Sequence, residues 1–337
     1  MKEAKFYKNI DNKIQCQLCN HYCIIKDNKV GICKVRKNKN GKLITLIYGY
    51  PVAQNIDPVE KKPLYHFMPG SFTYSLGTLG CNFFCANCQN WDISQAKLIE
   101  ENISKMDYCS PEKIVEEALG NDCKSISYTY NEPTIFTEYA LDIMKLAKEN
   151  GLKNVWVSNG FMSTECLEKI TPYLDAINVD LKSMDDDFYR QNCGARLNPV
   201  LENLKKIKDE QIHLEITTLI IPEMSDNLNM IEKISNFIAD ELDCDTPWHI
   251  SKFSPEISWK LKNKNQTGDD LIYETYEIGK KSGLKYVYVG NMPGDSKENT
   301  YCPKCKELVI RRMSNEVDRL DNKGLCPGCD TNLDIYK

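Results

Sequence analysis

Residues Gly77–Trp91 read GTLGCNFFCANCQNW, and this stretch decides the fold. Cys81, Cys85 and Cys88 follow a C-x3-C-x2-C spacing, three thiols inside eight residues. A cubane held by protein alone takes four Cys thiolates. Three on one short loop, with no fourth nearby, leave one iron open to a substrate; the competing reading is a partial zinc site. Just upstream, Phe72, Tyr74 and Leu76 alternate with Thr73, Ser75 and Gly77, as along a strand. Gly77 and Gly80 let the backbone turn and come close to a ligand. The triplet is therefore expected on a loop leaving the C-terminal end of a strand, where α/β barrels carry their chemistry.

Outward from this loop, strand and helix patterns alternate to about Asn291. Candidate strands are 72–78, 124–130, 153–158, 175–182, 212–220, 248–253 and 285–290. Ser110-Pro111 opens a helix that Gly120 closes, with the cap and first-turn proline in the expected order. A second helix, Thr134 to Asn150, places Phe136, Ala140, Ile143, Met144 and Ala147 on one face and stops at Gly151. Further helices are expected at 163–171, 199–209, 226–241 and 268–281. The fold class is thus α/β, a parallel sheet rolled into a partial barrel over residues 71–297, with an open doubly wound sheet as the structural alternative. Along the strands, Ser125, Ser127 and Thr129, then Asn178, Asp180 and Lys182, then Glu215 and Thr217, then His249 and Ser251 oppose apolar neighbours. The helices must cover the apolar faces, so a polar lumen is expected, one that binds a polar ligand.

The chain has 337 residues, enough for one barrel and small appendages. A net charge of −5 gives no basic field to draw nucleic acid, and no apolar run approaches a membrane span. The N-terminus, MKEAKFYKNIDNK, lacks the apolar core of a secretory signal, so a cytoplasmic location is expected. There thiols stay reduced, and sixteen cysteines suggest metal ligands instead of disulfides. Cys16, Cys19, Cys23 and Cys33 lie in an N-terminal Cys-rich module, 1–70, read as a separate small unit; they are candidate ligands for a second metal, and His21 is a substitute for one of them. Within this module Pro51 to Pro69 reads as an extended connection, and His66 as a packing histidine. Cys302, Cys305, Cys326 and Cys329 form two C-P-x-C knuckles twenty residues apart, the pattern of a zinc-ribbon or rubredoxin-like module over 298–337 holding zinc or a single iron. So short a segment cannot bury enough core alone, so the metal is expected to supply folding energy. Cys109, Cys123, Cys166, Cys193 and Cys244 read as small buried hydrophobes.

The cluster loop resembles that of the radical S-adenosylmethionine (SAM) superfamily. That resemblance implies a 4Fe–4S cluster on Cys81, Cys85 and Cys88, whose open iron is chelated by the amino and carboxylate groups of SAM. An electron from the reduced cluster would cleave SAM to methionine and a 5′-deoxyadenosyl radical. Thr129-Tyr130-Asn131-Glu132-Pro133 stands in the place of the superfamily's GGE motif, which assigns Glu132, with Asn131 beside it, to the SAM amino group; Tyr130 and Asn131 replace glycines. Ser158-Asn159-Gly160 resembles the TNG turn of activating enzymes, and Asp180-Leu181-Lys182 their D-x-K motif, which implies SAM contacts from Ser158, Asp180 and Lys182. His249 matches a histidine near the nucleoside, on the sixth candidate strand. The N-terminal Cys module, EKKPLYHFMPG, YTYNEPTIF, WHISKFSP, YVYVGNMPG and the double-knuckle tail together resemble the radical SAM enzyme of the AmmeMemoRadiSam system, a family close to the pyruvate formate-lyase-activating enzymes.

The resemblance implies an enzyme of anaerobic chemistry. Its partners would be a low-potential electron donor of flavodoxin or ferredoxin type and an unknown, preferably macromolecular, protein substrate, with no membrane and no nucleic acid. A glycyl-radical-enzyme activase is the alternative within that class, and a non-catalytic redox-sensing module that binds SAM is the alternative outside it. Residues 89–123 hold only Cys109 and Cys123, which excludes a ferredoxin-like insert there.

Overall fold

The computed structural model describes residues 2–11, 13–313 and 316–336. Its centre is an eight-stranded sheet. In chain order the strands are β1 (Ala53–Pro58), β2 (Phe72–Gly77), β3 (Ser125–Tyr128), β4 (Lys153–Ser158), β5 (Ala176–Asp180), β6 (His213–Ile220), β7 (Trp248–Lys252) and β8 (Val287–Gly290). Spatial order follows chain order without a reversal. A doubly wound sheet needs a reversal, so the sheet is a rolled one. β2 to β8 pair in parallel, and β1 and β8 are its two unpaired edges.

Every candidate strand of the barrel forms, and the helices fall within a few residues of expectation. Ser110 caps the helix Pro111–Gly120 by accepting from the Lys113 amide at 3.3 Å. The helix Thr137–Glu149 buries Ala140, Ile143, Met144 and Ala147 against the sheet, as its spacing demands.

Two expectations about the first seventy residues need correction. The segment 51–69 is not merely a connection: Ala53–Pro58 pairs antiparallel with β2 along six residues and becomes the sheet's edge. Its pattern, AQNIDP, is polar because an edge strand faces water on one side, so it carries no hydrophobic signal. Nor is the N-terminal module separate. Phe6, Ile14, Leu18, Ile25, Val35 and Leu43 belong to the same buried core as the barrel residues. A fully buried ion pair, Arg36 to Glu138, joins the module to the helix Thr137–Glu149.

The C-terminal residues have their own small core of Val309, Ile310, Leu333 and Ile335 with Cys302 and Cys326. They close the end of the barrel opposite the cluster loop. There Leu64 to Met68 threads beneath the strands. The His66 imidazole contacts the Leu333 carbonyl at 3.1 Å and the Tyr288 hydroxyl at 2.6 Å, and Arg312 donates to the Tyr65 carbonyl at 2.7 Å. His66 is thus the packing histidine its sequence context suggests.

Candidate active site and metal centres

The lumen is polar, but its lower half is filled by the protein itself. The buried Glu215 carboxylate accepts from the Tyr65 and His66 amides at 2.9 and 2.7 Å, and pairs with His213 and His249 at 2.9 and 2.6 Å. Burial pushes this carboxyl up, yet the hydrogen bonds from the two imidazoles outweigh it and hold it well below the usual range. His249 is spent in this plug. It does not border the cavity above, so its expected place near a nucleoside is not where the fold puts it. Ser251, two residues further along the same face of β7, does border the cavity.

That cavity, about 460 Å³, opens at the C-terminal ends of the strands. It falls in the usual size range for small-molecule sites. The thiols of Cys81, Cys85 and Cys88 border it on one side; Glu132, Ser158 and the Asp180–Lys182 pair border it on others. Gly77 permits this convergence: a Cβ there would stand 2.7 Å from the Thr129 carbonyl, so the end of β2 could not lie against the end of β3. Asn131 then ties that strand end to the cluster loop, its amide donating to the Thr78 and Gly80 carbonyls at 2.8 and 2.7 Å. Asn131 also borders the cavity.

Tyr130, in a place where the superfamily usually has glycine, adopts φ +69°. An L-residue there costs roughly 1–2 kcal/mol. Its hydroxyl offsets part of this by donating to Asp57 at 2.8 Å and accepting from Asn55 at 3.0 Å, both on or beside β1. Asp57 in turn pairs with the buried Lys62 at 2.8 Å. Asp57, Lys62 and Tyr130 all border the cavity. The sequence gives no sign of Asp57 or Lys62 at the site, nor of the Tyr130 contact with them, because the edge strand β1 carries no hydrophobic period.

Glu132 is 1 % exposed and tightly held. Its Oε1 accepts from the Thr134 amide at 3.0 Å, the Thr134 hydroxyl at 2.6 Å and the Ser158 hydroxyl at 2.8 Å; its Oε2 accepts from the Asn159 amide at 2.7 Å. Burial raises its pKa against the pull of these donors. The carboxylate therefore caps the turn Pro133–Phe136 and faces the cavity at once. Asp180 and Lys182 pair at 2.9 Å, and the ammonium is held well above its ordinary pKa against burial by Asp180 and by Cys85.

Burial, then the Glu132 charge, pushes the Cys81 thiol well up; for Cys85 the main cause is a hydrogen bond with Cys193, then burial. Cys193 is buried as expected, at the end of a π-helical turn, Tyr189–Cys193, beside the Cys85 thiol. The turn's backbone also receives the Phe84 and Ala86 amides. Cys193 does not border the cavity, so it leaves the loop's open side free. The loop therefore fits a cluster: three soft ligands, a polar cavity against them, and protons that metal binding must displace.

At the C-terminus Cys302, Cys305, Cys326 and Cys329 all lie within 4.8 Å of one another, with Sγ separations of 3.6 Å (Cys302–Cys329) and 3.4 Å (Cys305–Cys326). A Zn–S bond of about 2.3 Å implies tetrahedral edges of about 3.8 Å. The quartet suits a single tetrahedral ion.

With this geometry in view, comparison with known proteins is informative. Residues 76–238 match the radical SAM superfamily. An uncharacterized protein of Methanocaldococcus jannaschii, MJ0808, is 42 % identical over 339 residues, spanning 99 % of both chains. The pyruvate formate-lyase-activating enzyme of Clostridium pasteurianum is 26 % identical over 197 residues, which cover 55 % of this chain and 80 % of that one. The crystal structure of Streptococcus suis SuiB bound to precursor peptide SuiA shares the fold, with a TM-score of 0.51, at 13 % identity over 70 % of this chain and 52 % of that one.

The protein belongs to the radical SAM superfamily. Within it, the chain resembles the activating enzymes of pyruvate formate-lyase, and membership implies a 4Fe–4S cluster and SAM. No helix among the described residues is long and apolar enough to cross a membrane.

Proposed function

We propose that the protein is a radical SAM enzyme whose cluster sits on Cys81, Cys85 and Cys88 and whose SAM fills the cavity between that loop and Glu132. When bound, the reduced cluster supplies the electron that splits SAM into methionine and a 5′-deoxyadenosyl radical. The chain's own residues bind and orient. Glu132 offers the free capacity of its Oε2 to the SAM ammonium. Ser158 and Asn159 hold that carboxylate in place, which removes the cost of orienting it on binding. Lys182, with Asp180 fixing its ammonium, stands near Cys85 as the cation for the methionine carboxylate or the ribose edge. The plug of Glu215, His213, His249 and Tyr65 seals the lower lumen, so water cannot reach the radical from below.

The observation that carries this reading is one cavity shared by three cluster thiols and a fourfold-anchored carboxylate. Anaerobic reconstitution with SAM and dithionite should yield 5′-deoxyadenosine, and Cys85→Ala should yield none. A wild-type protein that binds SAM without turnover would instead support a redox-sensing module.

For the substrate, we favour a macromolecule, a protein chain first, with its reductant a low-potential donor of flavodoxin or ferredoxin type. The sheet is open between β1 and β8, and the exposed Ile56 lies on the β1 edge. The likeness to activating enzymes makes a backbone glycine of a partner enzyme the specific candidate. Incubation with candidate glycyl radical enzymes that produces no glycine-centred EPR doublet would retire it. A metal in the C-terminal quartet, zinc before iron, serves structure in this reading, because it holds the module that closes the barrel floor.

A further inference from the structure

The N-terminal cysteines are the largest group of chemical side chains that the reading above leaves unused. Cys16, Cys19, Cys23 and Cys33 line one small cavity, walled by Leu18, Ile25 and Ile135. Burial pushes the Cys33 thiol up to about 12 and Cys19 well up. Yet these thiols do not close on a single point. Among the described residues, only the C-terminal quartet brings three or more such ligand atoms within 4.8 Å of one another. The same chain thus holds two Cys quartets of different size: one drawn to tetrahedral edges, and one that surrounds a space. A cubane holds its four thiolates further apart than one ion does, because four metal atoms and four sulfides lie between them.

A second observation points into the same cavity. Arg36 lines it and is 1 % exposed. One nitrogen of its guanidinium pairs with Glu138, but Nε and Nη1 are buried without a partner. An unsatisfied buried donor costs roughly 1–3 kcal/mol, more in a charged group. Two on one cation facing neutral thiols call for an anion there, and a thiolate-ligated iron–sulfur cluster is one.

We infer that Cys16, Cys19, Cys23 and Cys33 hold a second 4Fe–4S cluster, with Arg36 as its buried counter-charge. His21 lines the same cavity. Its Nε2 contacts the Asn82 carbonyl at 2.8 Å, and a carbonyl only accepts, so that nitrogen carries the proton. Asn82 follows Cys81 directly. On the other side of the quartet, the Cys33 carbonyl lies where a Cβ on Gly80, at φ +91°, would come within 2.7 Å. The quartet's loops therefore touch the radical-site loop on both sides of Cys81. A single electron, with no proton or atom, can pass from one cluster to the other; the source is the same class of low-potential one-electron donor proposed above.

The radical-site assignment and this one fail separately. In a Cys81→Ala/Cys85→Ala/Cys88→Ala variant the N-terminal ligands are untouched, so about four irons and four sulfides per chain should remain above any C-terminal metal, and dithionite should produce a cubane EPR signal. Retention of one zinc, or of no metal, in the N-terminal quartet of this variant overturns the inference, whatever becomes of SAM cleavage. Cys19→Ala/Cys33→Ala should halve the cluster iron of the wild type. In the fully reduced wild type the two signals should be broadened by spin coupling; a spectrum equal to the sum of the two single-cluster variants overturns the contact.

Discussion

Replacing Glu132 with Gln tests the centre of the proposed site without removing volume. A carboxylate offers about four lone-pair positions. Three of the donors on Glu132 converge on Oε1, from Thr134 twice and from Ser158, while Oε2 holds only the Asn159 amide. Oε1 is therefore saturated, and Oε2 keeps the capacity for a ligand. Gln keeps its carbonyl at the Oε1 position, where three donors demand an acceptor. Its NH2 then falls at the Oε2 position, facing the Asn159 N–H, and offers a ligand ammonium another donor. The lost charged hydrogen bond is worth about 1.5–3 kcal/mol. At 1.4 kcal/mol per decade, SAM should bind about 10- to 150-fold more weakly. Equilibrium binding of SAM to anaerobically reconstituted variant and wild type reads this directly, with iron content as the check that the loop is intact. SAM affinity within about twofold of wild type, with full iron, would refute the assignment of Glu132 to the ammonium.

The remaining expectations concern the framework. Glu215→Ala strands two backbone amides and two imidazoles in the barrel floor; a loss of about 3–5 kcal/mol is expected, read as a lower urea midpoint. Because the folded pKa of Glu215 is depressed, its contribution is complete above the unfolded carboxylate value of about 4.3 and is lost as pH falls through the lower folded value. The gap between wild type and variant should therefore begin to close only in acid below that point, and a gap that closes on raising the pH would contradict the plug. Gly77→Ala puts a methyl 2.7 Å from the Thr129 carbonyl, so backbone must move; iron at the radical site per soluble chain should fall, while the C-terminal metal per chain stays. Cys326→Ser should remove that C-terminal metal and raise amide exchange at Tyr336 and Met68, whose amides bond across the barrel floor. Unchanged exchange would mean the quartet does not hold the floor closed.

Much of the site was legible because its chemistry and its local geometry lie in short segments. The C-x3-C-x2-C loop, Glu132 before a proline, and Asp180-Leu181-Lys182 each sit where a strand ends, and a parallel barrel gathers strand ends at one mouth. The period-two alternation along β3, β5 and β6 also announced a polar lumen, because the helices leave polar side chains nowhere else to point. The C-terminal knuckles needed no fold at all to be recognised, since four soft ligands in paired turns name their own chemistry.

What required tertiary structure was everything set by distance between segments. His249 and Ser251 lie on the same face of one strand, two residues apart, yet one is sealed into the floor and the other borders the cavity. Only the path of Leu64–Met68 beneath the sheet, with Glu215 to receive its amides, divides them. The edge strand Ala53–Pro58 has no hydrophobic period, so neither its place nor the roles of Asp57, Lys62 and Tyr130 could be read. The two Cys quartets look alike in composition. Their difference in span, and the buried face of Arg36 turned to one of them, arises from packing the N-terminal residues into the barrel's own core, which no local pattern encodes.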